Sequence, residues 1–115
     1  MTIIEKVEGV LKEITLDNET VPYDLSSYDG DSDTYIVYDY YEIPKFLGDG
    51  KYSKKEYNVT VNICSQSYNQ SLYDEVEKKF IENGFLYLNG GNTGKNNDFP
   101  QTRQTYKEFK ILLEV

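Results

Sequence analysis

The residue types that most often perform catalysis are scarce in this chain of 115 residues. Histidine is absent, which excludes a Ser-His-Asp triad, a Cys-His pair and any metal site that depends on an imidazole ligand. Cys64 is the only cysteine, and its place in an alternating apolar segment favours a small buried side chain over a nucleophile. The sequence therefore predicts no catalytic residues and a protein that is not an enzyme.

Three aspartates have the spacing with which a calcium-binding loop begins. Asp29, Asp31 and Asp33 match the first, third and fifth ligand positions of such a loop. The loop then needs glycine at its sixth position and glutamate at its twelfth, where this chain has Thr34 and Tyr40. We therefore interpret the aspartates as turn-forming residues and predict no metal site.

Gly94 and Lys95 match the end of a phosphate-binding loop, but the flanking residues do not. That loop needs a glycine five residues before Gly94 and a serine or threonine after the lysine. The chain has Asn89 and Asn96 at these two positions. No nucleotide site is predicted, and no cofactor.

The chain is instead rich in tyrosine, with twelve tyrosines and no tryptophan. Residues 35–41 read Tyr-Ile-Val-Tyr-Asp-Tyr-Tyr, a composition typical of a strand, which we predict over residues 34–43. Aromatic rings with a polar tip are also enriched at contact surfaces. The candidate residues for a subunit or partner interface are Tyr28, Asp33, Tyr35, Tyr38, Asp39, Tyr40, Tyr41, Lys51, Lys54 and Lys55.

Alternation divides this tyrosine strand between two faces. Tyr35, Asp39 and Tyr41 point one way, and Tyr38 and Tyr40 point the other way. Neither face is wholly polar, so the strand either lies centrally with both faces covered or exposes tyrosines to a partner. For Tyr38 and Tyr40 both alternatives stay open, whereas the face that contains Asp39 is predicted to be exposed.

Charge is unevenly distributed along the chain. Twelve basic and twenty acidic residues give a net charge of −8, which argues against binding to nucleic-acid phosphates. Nine of the acidic residues but only one basic residue, Lys45, lie between Asp17 and Asp49. A protomer with an acidic part and a basic part can pair head to tail with its own copies. The alternative is that these charges only solvate the surface.

Apolar residues at spacings of three and four predict two amphipathic helices. The first covers residues 2–15 and begins with a capping box formed by Thr2 and Glu5. The second covers residues 69–83, with Ser71 as its N-terminal cap and Gly84 as its C-terminal cap.

Further strands are predicted from alternation and from β-branched residues, over residues 21–25, 57–64, 85–88 and 109–115. Pro22 places the first of them at an edge of the sheet. Residues 44–51 form a connector, and residues 90–105 are predicted to be a long loop because they are rich in Gly, Asn and Thr. The order of elements predicts a single α+β domain, a mostly antiparallel sheet of four to five strands with two helices packed on one face.

The sequence also bears on location. The N-terminus lacks the basic start and apolar run of a signal peptide, and no segment approaches the ~18 consecutive apolar residues of a membrane span. One cysteine cannot form an intrachain disulfide. We expect a soluble protein from a reducing compartment, without a membrane partner.

A set of short motifs follows the N-terminal amphipathic helix. They are Tyr28-Asp-Gly-x-x-Asp-Thr-Tyr-Ile36, Tyr40-Tyr41, Asp49-Gly50, Val61-x-Ile63-x-Ser65 with Tyr68, and Gly84-Phe85. Together they resemble the small tail-terminator proteins, also called tail-completion or minor tail proteins, of siphophages and prophages of Gram-positive bacteria. The likeness extends over most of the chain, apart from residues 91–105.

The resemblance implies an α+β subunit that forms a hexameric ring on the end of the phage tail tube. Such a ring stops polymerisation of the tube and presents a surface to the head connector. The implied partners are further copies of the chain, the tail tube protein and the head-connector protein. The implied location is the host bacterial cytoplasm during assembly and then the virion tail.

Two other functions stay open. The first is an acidic inhibitor that mimics DNA, in which the carboxylates between Asp17 and Asp49 replace phosphates and occupy a nucleic-acid-binding protein. The second is a head-closure or neck protein of the same phages.

Overall fold

The structure, a computed structural model, describes residues 2–43, 54–95 and 103–114. The predicted connector over residues 44–51, and with it Lys51, lies outside the described residues. The helices and strands, in chain order, are α1 (Ile3–Leu11), β1 (Thr15–Leu16), β2 (Glu19–Thr20), β3 (Tyr23–Leu25), β4 (Tyr35–Ile43), β5 (Lys54–Ser65), α2 (Gln70–Glu82), β6 (Leu86–Lys95) and β7 (Arg103–Glu114).

The predicted capping box at the start of α1 is confirmed. The Thr2 hydroxyl accepts from the backbone N–H of Glu5, and the Glu5 carboxylate accepts from the backbone N–H of Thr2, both at 3.1 Å. The helix ends at Leu11, earlier than predicted, because residues 15–20 form the small hairpin β1–β2. Asp17 and Asn18 both have positive φ at its turn, a conformation that two-residue hairpins require.

The second helix begins with a different cap from the one predicted. Asn69 Oδ1 accepts from the backbone N–H of Leu72 at 3.1 Å, so Asn69 and not Ser71 caps α2. The predicted glycine at the C-terminal end is confirmed, since Gly84 has a φ of 93°.

The main sheet has five strands in the order β3-β4-β5-β7-β6. The pairs β4–β5, β5–β7 and β7–β6 are antiparallel, and only the short edge strand β3 runs parallel to its neighbour β4. The carbonyl of Pro22 accepts from the backbone N–H of Ile36 at 2.8 Å, and this bond joins β3 to β4. The predicted α+β class is confirmed, with an edge strand near residues 21–25.

Both helices cover the same face of this sheet. The strand register places Tyr38, Val61 and Lys107 side by side, so the three side chains share a face. Glu8 of α1 contacts Tyr38, and Glu77 of α2 contacts Lys107. The opposite side, which has no helix over it among the described residues, is called the helix-free face below.

The core lies between the helices and the sheet, and aromatic rings fill its α2 side. Phe80 stacks on Phe109 with ring centroids 4.7 Å apart, and Phe85 meets Phe80 edge-on at 4.9 Å. All three rings are buried. Their packing fixes α2 over strands β6 and β7.

The prediction of a long loop over residues 90–105 is wrong. Residues 90–95 continue β6, and β7 begins at Arg103, while residues 96–102 lie outside the described residues. The composition of residues 90–95 did not indicate a strand, because Gly, Asn and Thr have little side chain to bury. Tertiary pairing with β7 supplies the stability instead, with two register shifts in β6.

Candidate subunit interface

Tyr38 lies in the core and not at the surface. Its side chain is fully buried, and its hydroxyl donates a 2.6 Å hydrogen bond to Glu8 Oε2. Of the two alternatives that the sequence left open, burial is the one found. Including Tyr38 among the candidate contact residues was therefore wrong, because its face of β4 lies under α1.

Tyr40 points to the same face as Tyr38 but lies nearer the end of the sheet. Its side chain is half-buried and packs against the core. The Tyr40 ring meets the Tyr57 ring edge-on, with centroids 6.3 Å apart. Most of its contacts are therefore within its own chain, and only part of the ring is available to a partner.

The opposite face of β4 is exposed where Asp39 and Tyr41 lie, as predicted. The side chain of Tyr41 is 57% exposed. Asp39 Oδ1 accepts a 2.9 Å hydrogen bond from the Ser26 hydroxyl, which holds the chain after β3 against β4. These two residues are available for contact with another molecule.

The turn before β4 is packed onto the other end of the same face. Tyr28 stacks on Tyr35 with ring centroids 4.4 Å apart, and its hydroxyl accepts from the backbone N–H of Ser32 at 3.3 Å. A side chain at Gly30 would collide with this hydroxyl, since an added Cβ would lie 2.3 Å from it. Asp33 Oδ1 accepts from the Gln66 amide at 3.1 Å. The aspartates thus lie in the bent segment between β3 and β4, and within the described residues Asp33 accepts from a side-chain amide and not from a nearby backbone N–H.

Cys64 lies beside Tyr35 in the register and is buried. Burial raises the pKa of the Cys64 thiol, although a hydrogen bond with Tyr35 acts in the opposite direction. Burial also raises the pKa of Tyr35. A thiol whose pKa is raised stays protonated near neutral pH, so this environment does not activate Cys64 as a nucleophile.

The middle of the helix-free face holds side-chain hydrogen bonds between neighbouring strands. They are Asn58 Nδ2 to Glu108 Oε1 (2.9 Å), Asn89 Nδ2 to Glu108 Oε2 (3.1 Å), Gln104 Nε2 to Asn62 Oδ1 (2.9 Å) and Lys110 Nζ to Glu56 Oε1 (2.7 Å). Within the described residues Asn58 Oδ1 is buried without a hydrogen-bond donor. This polar ladder makes the middle of the face hydrophilic.

Three large exposed side chains lie toward one end of the helix-free face, in rows that they share with Asn58, Lys110 and Glu56. Tyr41, Asn58, Lys110 and Leu86 lie side by side across β4, β5, β7 and β6, and Leu112 follows two residues after Lys110 on the same face. The side chains of Leu86 and Leu112 are 61% and 45% exposed. We call Tyr41, Leu86 and Leu112 the apolar band. Neither leucine was among the residues predicted for an interface, although Leu112 interrupts the alternation of the last strand and could have revealed one of them.

Two of the three candidate lysines lie within the described residues. Lys54 and Lys55 are exposed at the start of β5, and Lys51 lies outside the described residues. Lys55 Nζ lies 3.3 Å from the Glu42 carboxylate, so its charge is compensated within its own chain. Asp33 contacts Gln66, beyond the other end of β5, so the structure does not bring Lys54 and Lys55 together with Asp33.

A polar cleft of about 190 Å³ lies between α2 and strands β6 and β7. Lys107 is buried at its floor, where Nζ lies 2.9 Å from Glu77 Oε1 and 5.5 Å from the centre of the Tyr87 ring. Gly90 and Gly91 line the side formed by β6. An added Cβ at Gly90 would lie 2.6 Å from Tyr87 Oη and 2.8 Å from the carbonyl oxygen of Tyr106, so glycine is required there.

The described residues contain no group of three or more Cys, Asp or Glu side chains placed to hold a metal ion. No helix among them has the length and apolar character needed to span a membrane. No model of a known protein family matches the chain, and no curated protein matches it either.

Proposed function

We propose that the chain is a structural subunit that assembles with its own copies, and that it serves as a tail terminator of a siphophage or prophage. The observation that supports self-assembly is the apolar band. Tyr41, Leu86 and Leu112 are all strongly exposed at one end of the helix-free face, in a chain whose mean hydropathy is −0.66. Large apolar side chains grouped on a polar surface are typical of a contact with another protein.

The position of the band fits an interface between copies. Tyr41 lies on β4 and Leu86 lies on β6, so the band reaches from one side of the sheet to the other. A subunit of a closed ring must contact a neighbour on each of two opposite sides. The band gives both sides an apolar residue.

The tail-terminator role itself rests on the resemblance of the motifs, and two further observations support it as a proposal. The fold is α+β, which the resemblance implies. The net charge of −8 would also let a ring repel DNA as it passes through, instead of binding it.

Self-assembly can be tested directly on the purified chain. Light scattering coupled to size-exclusion chromatography, from low to high micromolar concentration, should show an oligomer that grows with concentration. Electron microscopy of the largest species should show rings. A species that stays monomeric at every concentration would contradict self-assembly and would favour the acidic inhibitor.

The place in the virion requires a different observation. The genes on either side of the one that encodes this chain should include those for a tail tube protein and a tape-measure protein. Neighbouring genes for nucleic-acid metabolism, with no tail genes, would contradict a role in the tail. A head-closure role would be indicated if the purified chain bound the head connector but not the end of a tail tube.

A further inference from the structure

We propose that the copies join edge to edge, so that β3 of one copy pairs with β6 of the next copy and the sheet continues from subunit to subunit. This inference rests on the self-assembly proposed above and names the surface and the partner, a second copy of this chain. Within the described residues, β3 and β6 are the two edge strands of the five-stranded sheet. An edge strand presents backbone groups that can pair with another strand. In the single copy the Leu25 N–H donates to Asp24 Oδ1 at 2.8 Å and the Leu25 carbonyl accepts from the Ser27 N–H at 2.8 Å, so pairing at Leu25 would exchange these two local bonds for bonds to the neighbour.

The strand directions suit this pairing. β4, β5, β7 and β6 alternate in direction, so β6 runs opposite to β4. Because β3 is parallel to β4, β3 also runs opposite to β6. A second copy placed beside the first in the same orientation would therefore form an antiparallel pair, the kind of pairing used in the rest of the sheet.

The strands also lie at the same height. Following the register across the sheet, Leu25 lies level with Tyr38, Val61, Lys107 and Gly90. One residue along, Asp24 lies level with Gly91, and Tyr23 lies level with Asn92. A sideways shift of one copy, without sliding along the strands, thus places β3 opposite residues 90–92. These residues belong to the regular part of β6 between its two register shifts.

The two glycines give the incoming strand room. Gly90 and Gly91 have no side chains, and they would face Leu25 and Asp24 of the neighbouring copy. On the helix face, Leu25 of the neighbour would lie against the Tyr87 hydroxyl, which occupies the space over Gly90 beside the polar cleft.

The same placement brings the two outer residues of the apolar band, Tyr41 and Leu86, closer together. Tyr41 of one copy would lie level with Leu86 of the next, separated by two strand spacings, about 10 Å. Both side chains would stand on the same face of the continued sheet, on either side of the new contact.

Charge favours joining unlike edges over joining like edges. Asp24 and Asp39 are exposed on the β3 side, whereas β6 contains no acidic residue. Two β3 edges brought together would oppose these carboxylates, a destabilising arrangement for directly opposed like charges. Pairing β3 with β6 avoids it, and such a head-to-tail contact can close into a ring.

Disulfide trapping tests the pairing. We replace the buried Cys64 with alanine in every protein and introduce Asp24→Cys in one sample and Gly91→Cys in the other. Both positions accept a new side chain, because Asp24 is exposed and an added Cβ at Gly91 meets no atom closer than 3.5 Å. Directly opposed residues of antiparallel strands have Cβ atoms about 4.5–5.5 Å apart, close enough for a disulfide after a small shift.

We expect a cross-linked dimer when the two samples are mixed and oxidised. We expect no cross-linked dimer when either sample is oxidised alone. Lys78→Cys, exposed on α2 and outside both edge strands and the apolar band, is the matched control and should not cross-link to Gly91→Cys. Dimers from Gly91→Cys alone would overturn the proposal in favour of a β6–β6 contact. Absence of the mixed dimer under conditions in which the wild-type chain forms oligomers would overturn the edge pairing but leave self-assembly standing.

Hydrogen exchange of the unaltered chain gives a second measurement, in case a cysteine variant folds poorly. Backbone amides of residues 23–25 and 89–92 should exchange more slowly when the concentration is raised through assembly. Unchanged exchange at both segments in the oligomer would contradict the pairing. A wild-type chain that stays monomeric would instead contradict both this inference and the proposed function.

Discussion

The hydroxyl of Tyr38 donates a 2.6 Å hydrogen bond to Glu8 Oε2 and so ties the second strand of the sheet to the first helix. The two residues are thirty positions apart in the chain. A hydrogen bond to a charged acceptor contributes about 1.5–3 kcal/mol when it is protected from water. This contact therefore explains why a tyrosine, and not a phenylalanine, occupies a fully buried position.

The bond should make stability fall at high pH. Burial raises the pKa of Tyr38 above its ordinary value of 10.0, and the hydrogen bond and charge of Glu8 raise it further. The unfolded chain releases this proton above about pH 10 while the folded chain keeps it, so the contribution is complete below that pH and is lost as pH rises.

Tyr38→Phe should therefore have two effects. It should lower the free energy of unfolding at neutral pH by about 1.5–3 kcal/mol through loss of the charge-assisted bond. Above pH 10, this tyrosine should lower the free energy of unfolding of the wild-type chain by up to about 1.4 kcal/mol per pH unit. The Tyr38→Phe variant should lack that part of the fall. Urea denaturation between pH 7 and pH 11 measures both, and parallel curves for the two proteins above pH 10 would contradict the assignment.

The ion pair between Lys107 and Glu77 should respond unequally to removal of its two partners. Lys107 is buried, whereas the Glu77 side chain is 35% exposed. Glu77→Ala leaves the buried Lys107 ammonium without its carboxylate and should lower the free energy of unfolding by about 2 kcal/mol. Breaking a fully buried pair costs roughly 3–5 kcal/mol, and the cost is smaller here because water reaches Glu77. Lys107→Met keeps the packing against Tyr87 and should cost about 1 kcal/mol or less. Urea denaturation measures the free energy of unfolding of both variants. Equal decreases for the two would contradict the unequal response.

The two adjacent glycines of β6 should differ in their tolerance of alanine. At Gly90 the new Cβ would lie 2.8 Å from the backbone carbonyl oxygen of Tyr106, which cannot move without disturbing β7. Gly90→Ala should cost about 1–3 kcal/mol. Gly91→Ala is the matched control and should stay within about 0.5 kcal/mol, since its nearest contact is 3.5 Å. Thermal unfolding of both variants measures the difference, and equal midpoints would contradict it.

Much of the fold could be predicted from local patterns. The apolar spacing predicted both helices, and alternation predicted the strand around Val59, Val61 and Ile63, all of which are fully buried. The α1 cap was also predictable, because Thr2 and Glu5 form it within four residues of each other.

The remaining features depend on contacts that are distant in sequence. Nothing near Tyr38 in the chain shows that Glu8 lies above it. Residues 90–95 have a composition typical of a loop, and only the pairing with β7 makes them a strand. Leu86 became a candidate because the register places it level with Tyr41, on the other side of the sheet. The interface therefore could not be located from strand composition alone.

Tyr41 and Tyr38 should separate assembly from stability. Tyr41 is exposed within its own chain, so Tyr41→Ala should change the free energy of unfolding by no more than about 0.5 kcal/mol. If the apolar band forms the contact, the same change should shift assembly to higher concentrations, as measured by light scattering. Tyr38→Ala removes a core ring and should cost about 3–5 kcal/mol. Assembly of Tyr41→Ala that matches the wild type at every concentration would exclude the band from the interface, because the subunit itself would be intact.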